Sequence, residues 1–459
     1  MHPDNAEAAP APIQGMPKGI WNAHIFQFFN TFSFSVVIGA HMILYFKYLG
    51  ASATVIGIVT ALPNILNILQ IPAASFVDRV GYRAFVLRGW TMRTFIILGI
   101  TVVPLLSLRL DRATCMMLML FLLFAYNTSR GISVCGFLPW MTHLVPEPIR
   151  GTFISRDQGC GAVAGFLTLI GSAALFKAVQ GTSAYAISFG AAFLAAAISL
   201  SFLRRIPDVP VPPESKSKER VPWREMLLYR PFLKLLIYNI VINLALAGGG
   251  VFWVPTLRDV YAWPTQNILL LTSVASFFSI SIFWSFGRIV DRVGSRPLLA
   301  FGGVCLVIHF LLWGAISTRL LYPHIPAVIV LELFAACGGC LVNMANTRLM
   351  MASVPVMGRS HFFAFFSVVN SLILGIGPIL WGILVDSLDF LHLPLGQNGD
   401  LNHYTVGYLC IALVTLASLF FLKALDEPRA MTTEAFFNEL FVATPWRAIS
   451  RLIGRRPLI

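Results

Sequence analysis

The chain has 459 residues, of which 57% are hydrophobic and only 12% are charged, with a formal net charge of +13. A soluble domain carries about a quarter charged residues, so this composition excludes an ordinary soluble protein and indicates a lipid environment. The apolar runs lack the alternation of barrel strands, which excludes a transmembrane β-barrel.

The apolar residues are grouped in about twelve stretches, each long enough to cross a bilayer as a helix of roughly 20 residues. These stretches lie near residues 23–46, 53–76, 84–107, 113–140, 153–178, 183–203, 233–255, 265–287, 298–318, 326–350, 361–385 and 404–423. The sequence therefore predicts an all-α polytopic membrane protein with twelve transmembrane helices.

The distribution of positive charge predicts the orientation of these helices. If the N-terminus is cytoplasmic, about 25 of the 33 Lys and Arg residues fall in cytoplasmic loops, tails or their edges. The net charge is therefore attributed to topology, and no nucleic-acid partner is expected. Residues 1–19 are polar and lack the pattern of a signal peptide, so a disordered cytoplasmic segment is expected there. We expect a bacterial-type inner (plasma) membrane protein with both termini in the cytoplasm.

A polar segment divides the chain. Residues 205–232 contain Pro-Asp-Val-Pro-Val-Pro-Pro and then mixed charges, which suits a solvated cytoplasmic linker. This segment separates a predicted six-helix bundle over residues 20–204 from a second six-helix bundle over residues 233–424. After the last span, residues 425–459 include a basic segment with Trp446, which predicts an amphipathic helix on the cytoplasmic leaflet or, alternatively, a disordered tail.

The two predicted bundles are related in sequence. Asp-Arg-Val-Gly-Tyr-Arg at Asp78–Arg83 recurs as Asp-Arg-Val-Gly-Ser-Arg at Asp291–Arg296, and the same spacing maps Asn30 onto Asn243. A repeat between loops at equivalent topological positions is typical of transporter folds, in which the substrate site lies between the repeats near the bilayer midplane.

The repeated loop resembles the signature loop of the major facilitator superfamily, whose fuller pattern has a glycine four residues before the aspartate. The second copy has Gly287 there, whereas the first has Ala74. The resemblance implies two pseudo-symmetric bundles, alternating access, and a cavity lined by helices 1, 4, 7 and 10. An aspartate in such a loop can accept hydrogen bonds from a helix N-terminus or pair with arginine, and so hold one conformation closed. The predicted cytoplasmic gate comprises Asp78, Arg79, Gly81, Arg83, Gly287, Asp291, Arg292, Gly294 and Arg296.

Arg130 lies inside the predicted fourth span, where an arginine costs at least about 2.5–3.5 kcal/mol on insertion scales. It is predicted to contact a substrate anion or join a proton relay; the alternative is a structural ion pair with Asp157 on the fifth span. Asp157 and Glu332 are the candidate proton-coupling carboxylates, because deep carboxylates suit proton transfer. Glu332 equally fits an outer-end position that faces water.

Amides on the helices that would line the cavity complete the candidate site. Asn30 and Asn243 share the repeat register and are predicted to face each other across the pseudo-twofold axis, although interhelical packing explains them equally well. The predicted substrate and cavity residues are Gln27, Asn30, Asn127, Arg130, Asn243, Asn343 and Asn346.

The cysteines and histidines indicate no metal or redox chemistry. Cys337 and Cys340 share one helix face, but small residues in a span more often serve helix packing than Cu(I) binding. Intramembrane histidines such as His24 are more often packing residues than proton shuttles. No cofactor is expected.

These patterns predict a secondary active transporter of a small organic solute, with a weak preference for an anionic or polar one and with possible proton coupling as a symporter. The alternative is a non-transporting assembly factor or scaffold of the same fold that handles a pigment, a lipid or a partner membrane protein. An enzyme would need a cluster of reactive side chains, so none is expected. The expected partners are the solute and the lipid bilayer, and the expected state is a monomer.

Overall fold

The structure, a computed structural model, describes residues 19–51, 53–107, 109–179, 181–211, 228–263, 265–355, 359–388, 390–395, 399–425, 427 and 431. Most of the predicted N-terminal segment, much of the predicted linker and nearly all of the predicted tail helix therefore lie outside the described residues. The described residues up to 211 are called the first half below, and those from 228 onward the second half.

The first half contains nine α-helices, of which three consecutive pairs each combine into one longer apolar segment. The helices are α1 (Trp21–Ile38), α2 (Ala40–Tyr48), α3 (Ala53–Ile65), α4 (Gln70–Val80), α5 (Tyr82–Leu106), α6 (Arg112–Ser133), α7 (Phe137–Leu144), α8 (Arg150–Ala178) and α9 (Thr182–Leu203). The pairs are α1 with α2, α3 with α4, and α6 with α7.

The second half contains six longer helices and one hairpin. The elements are α10 (Arg230–Pro255), α11 (Thr265–Val293), α12 (Ser295–Ser317), α13 (Ile325–Ser353), α14 (Arg359–Asp386), β1 (His392–Leu395), β2 (Gly399–Asn402) and α15 (His403–Leu422). A π-helical turn over Thr256–Val260 follows α10.

Eleven helical segments of the described chain are long and apolar enough to cross a membrane, and α11 adds a shorter apolar stretch, Val274–Gly287. The predicted helical polytopic architecture is thereby confirmed. The described chain also contains one short antiparallel hairpin of β1 and β2, whose four-residue strands leave too short a pattern to recognise in the sequence. The hairpin leads directly into α15, where the Asn402 side chain accepts a hydrogen bond from the Thr405 amide at 3.1 Å and caps the helix.

The second span is interrupted, and a neighbouring helix packs into the interruption. Pro63 lacks an amide proton, and the chain tightens into a 3₁₀ turn over Leu66–Leu69 before α4 begins. Gly131 of α6 packs against this turn so closely that a Cβ there would lie 2.1 Å from the carbonyl oxygen of Leu66. This contact brings the adjacent Arg130 against the interrupted segment.

The two repeated loops have the same backbone geometry. Gly81 separates α4 from α5 with φ +92°, and Gly294 separates α11 from α12 with φ +94°. Glycine adopts these left-handed conformations without the strain that a side chain would introduce, which explains the glycine in both copies of the repeat. The end of the molecule that holds these loops is called the motif end below, and the other is called the opposite end.

Candidate functional site

The aspartate of the second loop crosses from one half to the other. Asp291 accepts hydrogen bonds from the backbone amide of Gly151 at 2.6 Å and from the amide and hydroxyl of Thr152 at 2.7 and 2.6 Å. Gly151 and Thr152 belong to the first turn of α8, where backbone amides lack partners within the helix. The carboxylate therefore caps the positive end of a helix in the opposite half.

The aspartate of the first loop makes the corresponding contact. Asp78 is buried and accepts a hydrogen bond of 2.9 Å from the hydroxyl of Ser360 in the first turn of α14. Each half therefore sends one carboxylate to the beginning of a helix in the other half. Asp78 and Asp291 with these two helix beginnings are called the latch. The second contact is the stronger, because it has three hydrogen bonds against one.

Two arginines of the repeat bind backbone carbonyls within their own half. Arg83 donates to the carbonyl of Arg204 after α9, and Arg296 donates to the carbonyl of Lys423 after α15 at 3.0 Å. Each therefore fastens its loop to the last helix of its own half. Of the other gate candidates, Arg79 and Arg292 are exposed.

Gly287 lets the second latch close. A Cβ at Gly287 would lie 2.3 Å from the hydroxyl of Ser155, so a glycine is needed where α11 approaches α8. The first copy has Ala74 at the corresponding place, and that residue is fully buried.

Two charged residues that sequence reasoning missed support the second latch. Arg348 on α13 has its Nε 3.6 Å from the Asp291 carboxylate and donates to Glu427 at 2.6 Å. Glu427 in turn accepts hydrogen bonds from the backbone amides of Ser295 and Arg296 at 3.0 and 2.9 Å, which begin α12. The chain segment after the last span is thereby tied to the repeated loop. Neither charge belongs to the repeat, so no common register connects the two residues in the sequence.

A row of polar contacts continues inward from the first latch between the second span and α14. Gln70 donates to Ser367 at 2.9 Å, and Asn67 donates to Ser371 at 2.6 Å. Farther along, Gly375 faces Asn64, whose Cβ would lie 3.4 Å from a Cβ built on the glycine. Both halves are thus held along one antiparallel helix pair as well as at its end.

The contacts between the halves show which end of the molecule is closed. Hydrogen bonds join the halves from the motif end as far as Ser371, about 18 Å along α14 at 1.5 Å per residue. Arg150 contributes with a 3.2 Å bond to the carbonyl of Met351, and Arg359 lies 3.2 Å from the His143 ring. The structure is therefore closed at the motif end.

Arg130 makes different contacts from those predicted. It donates to the carbonyl of Pro63 at 3.2 Å and to the Asn67 side chain at 3.3 Å, and its guanidinium lies 5.0 Å from the centre of the Phe34 ring. The alternative of an ion pair with Asp157 is wrong, because the Arg130 guanidinium bonds to the Pro63 carbonyl and the Asn67 side chain instead. Arg130 thereby connects through Asn67 to the second half.

Asn30 and Asn243 do not face each other. Asn30 accepts a hydrogen bond of 3.0 Å from the Trp90 ring, and Asn243 donates to Asn370 at 3.0 Å, each within its own half. The prediction of a contact across the pseudo-twofold axis is wrong, because each side chain finds a partner on a neighbouring helix. Asn127 is buried and donates to the carbonyl of Leu123 on its own helix.

The remaining amide candidates lie between helices. Asn346 bonds with Asn239 at 2.9 Å inside the second half. Asn343 is exposed and accepts a bond of 3.1 Å from Gln158, which joins the halves. Gln27 lies beside α8, where a Cβ on Gly161 would be 3.4 Å from its side-chain nitrogen.

The two candidate coupling carboxylates differ in their surroundings. Asp157 lies 3.8 Å from Nδ1 of His24, which is almost fully buried between the Trp21 and Phe153 rings. This histidine was interpreted as a packing residue, yet it faces a carboxylate. Glu332 on α13 is half-buried. Within the described residues, no group of three His, Cys, Asp or Glu side chains could hold a metal ion.

Comparisons with known proteins agree with this architecture. The family model of the Major Facilitator Superfamily matches residues 21–319. The proton:xylose symporter XylE superposes over 92% of this chain and 100% of its own, with a TM-score of 0.73 and 14% identity. FucP, an MFS transporter in the outward conformation, covers 90% of this chain and 100% of its own, with a TM-score of 0.68 and 13% identity.

The human organic anion transporter MFSD10 (TETRAN) is also similar, over 88% of this chain and 100% of its own, with a TM-score of 0.66 and 12% identity. No curated protein matches the sequence. The chain belongs to the major facilitator superfamily, as its repeated loop predicted. It is a multi-pass membrane protein with the fold of secondary transporters.

Proposed function

We propose that this protein is a secondary active transporter that moves a small organic solute across a bacterial-type inner (plasma) membrane by alternating access. The latch carries the proposal, because each half sends an aspartate to a helix N-terminus of the other half at the motif end. Such contacts close one side of a two-bundle protein and can be exchanged for closure at the other side.

The motif end is the cytoplasmic end in this proposal. The positive-inside bias of the loops supports that orientation. The described state, closed at the motif end, is then the outward-facing state of the transport cycle. The likeness to FucP in its outward conformation is in keeping with that reading.

The solute is proposed to be polar or anionic. Two arginines, Arg93 and Arg130, lie in the spans of the first half, and among the described residues neither is in an ion pair with a carboxylate. Positive potential in a low-dielectric site favours anions and repels cationic solutes. MFSD10, which shares the fold, is an organic anion transporter.

Proton coupling is proposed to use Asp157, with His24 as its neighbour, and Glu332. A carboxylate 3.8 Å from an imidazole can exchange a proton with it over a small movement of either side chain. XylE, which shares the fold, is a proton symporter. Protonation of such a pair would change the charge inside the first half during the cycle.

The test is a thermal-unfolding screen of purified protein against organic anions, sugars, nucleosides, amphiphiles and drugs. A ligand at about 100 times its dissociation constant stabilises the folded state by about 2.7 kcal/mol, which raises the unfolding midpoint. A compound found in this way should enter proteoliposomes that contain the protein. If no compound shifts the midpoint and none is taken up, the scaffold alternative replaces the proposal. Proteins that co-purify with the chain should then be identified.

A further inference from the structure

Arg93 is a buried arginine on α5 whose charge has no partner of opposite sign among the described residues. Only 5% of its surface is exposed. One guanidinium nitrogen donates to the Tyr126 hydroxyl at 3.0 Å, and the group lies over the rings of Trp90 and Tyr126 at 4.4 and 5.1 Å. The Nε and Nη1 atoms have no hydrogen-bond partner among the described residues.

Arg130 lies on the same face of α6 as the tyrosine that contacts Arg93. Tyr126 and Arg130 are four residues apart in one helix, so their side chains are neighbours. No described carboxylate forms an ion pair with either guanidinium. Asn127 also lies here, with a buried side-chain oxygen that no described residue satisfies.

Two positive charges in a membrane interior repel each other and lack compensation. Aromatic rings stabilise a guanidinium through their faces, but they accept none of its in-plane hydrogen bonds. A planar fork with free N–H groups matches the oxygens of a carboxylate or phosphate. An anion with two negative charges would neutralise both arginines and occupy the free donors of Arg93.

We propose that Arg93 and Arg130 form a receptor for a dianionic group of the solute, a dicarboxylate or a phosphate. The inference rests on the proposed transport function and names the class of solute. Arg93 would bind the anion directly, since its Nε and Nη1 have no hydrogen-bond partner among the described residues. Arg130 would supply the second positive charge.

The receptor is connected to the contact between the halves. Arg130 donates to Asn67, and Asn67 donates to Ser371 of the second half. An anion that draws Arg130 toward itself competes with the Asn67 oxygen and the Pro63 carbonyl. Binding of the anion would therefore weaken the Arg130–Asn67 contact, which is connected to the hydrogen bonds that hold the motif end closed. In this way solute binding would favour opening of the motif end.

The test measures binding by calorimetry and thermal unfolding, with matched probes. The anionic probes are succinate, citrate and glycerol phosphate, and the neutral counterparts are succinamide and glycerol. We expect at least one anion to bind while its neutral counterpart does not. We expect Arg93→Gln to weaken that binding by about 10- to 100-fold, the range for one hydrogen-bonded charge.

The variants are chosen to separate binding from folding. Arg93→Lys keeps the charge without the fork, so it should bind about 10-fold more weakly and remain folded. Arg88→Gln is the matched control, because Arg88 is an exposed arginine on the same helix. The inference is overturned if no anion binds better than its neutral counterpart, or if both Arg93 variants fold and bind like the wild type.

The outcomes also separate this inference from the transport proposal. If a neutral solute is transported and Arg93→Gln leaves its uptake unchanged, transport stands and the dianion receptor fails. If succinate or phosphate ester binding depends on Arg93 but no compound is taken up by proteoliposomes, the receptor stands and transport fails.

Discussion

Replacing Asp291 with asparagine should open the motif end more than the same change at Asp78. Asp291 accepts three hydrogen bonds from the first turn of α8 with its two oxygens. Asparagine keeps one oxygen, directs an NH₂ group at an N–H donor and removes the charge that faces a helix N-terminus. The closed state therefore loses both hydrogen bonds and electrostatic stabilisation.

The magnitude follows from the number of bonds. A hydrogen bond to a charged group contributes about 1.5–3 kcal/mol, and a charge at a helix terminus about 0.3–1 kcal/mol. We expect Asp291→Asn to cost the closed state about 3 kcal/mol, roughly a 150-fold change in the equilibrium. Asp78 has one bond, from the Ser360 hydroxyl, and an asparagine oxygen can still accept it as a weaker neutral bond, so Asp78→Asn should cost about 1 kcal/mol, roughly 5-fold.

The assay is a distance measurement between spin labels on the two halves. Ser201 and Ala424 are exposed and lie near the motif-end termini of α9 and α15, so Ser201→Cys and Ala424→Cys can carry the labels in a cysteine-free background. Asp208→Asn is the matched control, because that aspartate is exposed near the same end and contacts only its neighbour Val209. The long-distance population should grow strongly in Asp291→Asn, modestly in Asp78→Asn and not in the control.

Two results would refute this reasoning. One is a distance distribution in Asp291→Asn that equals that of the wild type, since the three bonds would then contribute nothing to closure. The other is greater opening in Asp78→Asn than in Asp291→Asn, since the order of the effects follows directly from the number of hydrogen bonds at each aspartate.

Three further predictions concern other parts of the site. Gly131→Ala should lower the unfolding midpoint, because overpacking costs about 1–3 kcal/mol. Gly165→Ala, which has open space around it, should be neutral or stabilising. Equal midpoints for the two variants would contradict the close contact between α6 and Leu66. Glu427→Gln should weaken closure by about 1–2 kcal/mol through its bonds to Arg348 and to the start of α12, and an unchanged label distance would show that it plays no part. Asp157→Asn should abolish uptake driven by a pH gradient but spare exchange of solute, and intact gradient-driven uptake would remove it from the coupling path.

The fold and the family could be predicted because they depend on features that extend over the whole chain. Apolar runs of membrane length and a repeated loop can be recognised without knowledge of any single contact. The loop aspartates could be singled out for the same reason, since Asp78 and Asp291 occupy one register. The hydrogen-bond donors to these aspartates could not be predicted, because tertiary packing decides which helix begins opposite each aspartate.

The contacts of the arginines could not be predicted from the sequence, because they depend on the local packing around each side chain. Arg130 bonds to the Pro63 carbonyl, one turn before the 3₁₀ turn of the second span, and the packing of Gly131 against Leu66 brings the two together. Arg348 and Glu427 occur once each and lie far apart in the chain, so no period or repeat links them. The free N–H groups of Arg93 become visible only when its aromatic neighbours are in place.

The most direct test of alternating access is to cross-link the second span to α14 across the two halves and measure uptake. Asn64→Cys with Gly375→Cys should form a disulfide in a cysteine-free background, because the two Cβ atoms would lie 3.4 Å apart, close to the usual range of about 3.5–4.5 Å. Neither residue belongs to the latch or to the arginine cluster. With a solute from the thermal screen, the oxidised protein should take up none in proteoliposomes, and reduction should restore uptake. Uptake at the same rate in the oxidised, verifiably cross-linked protein would contradict the account.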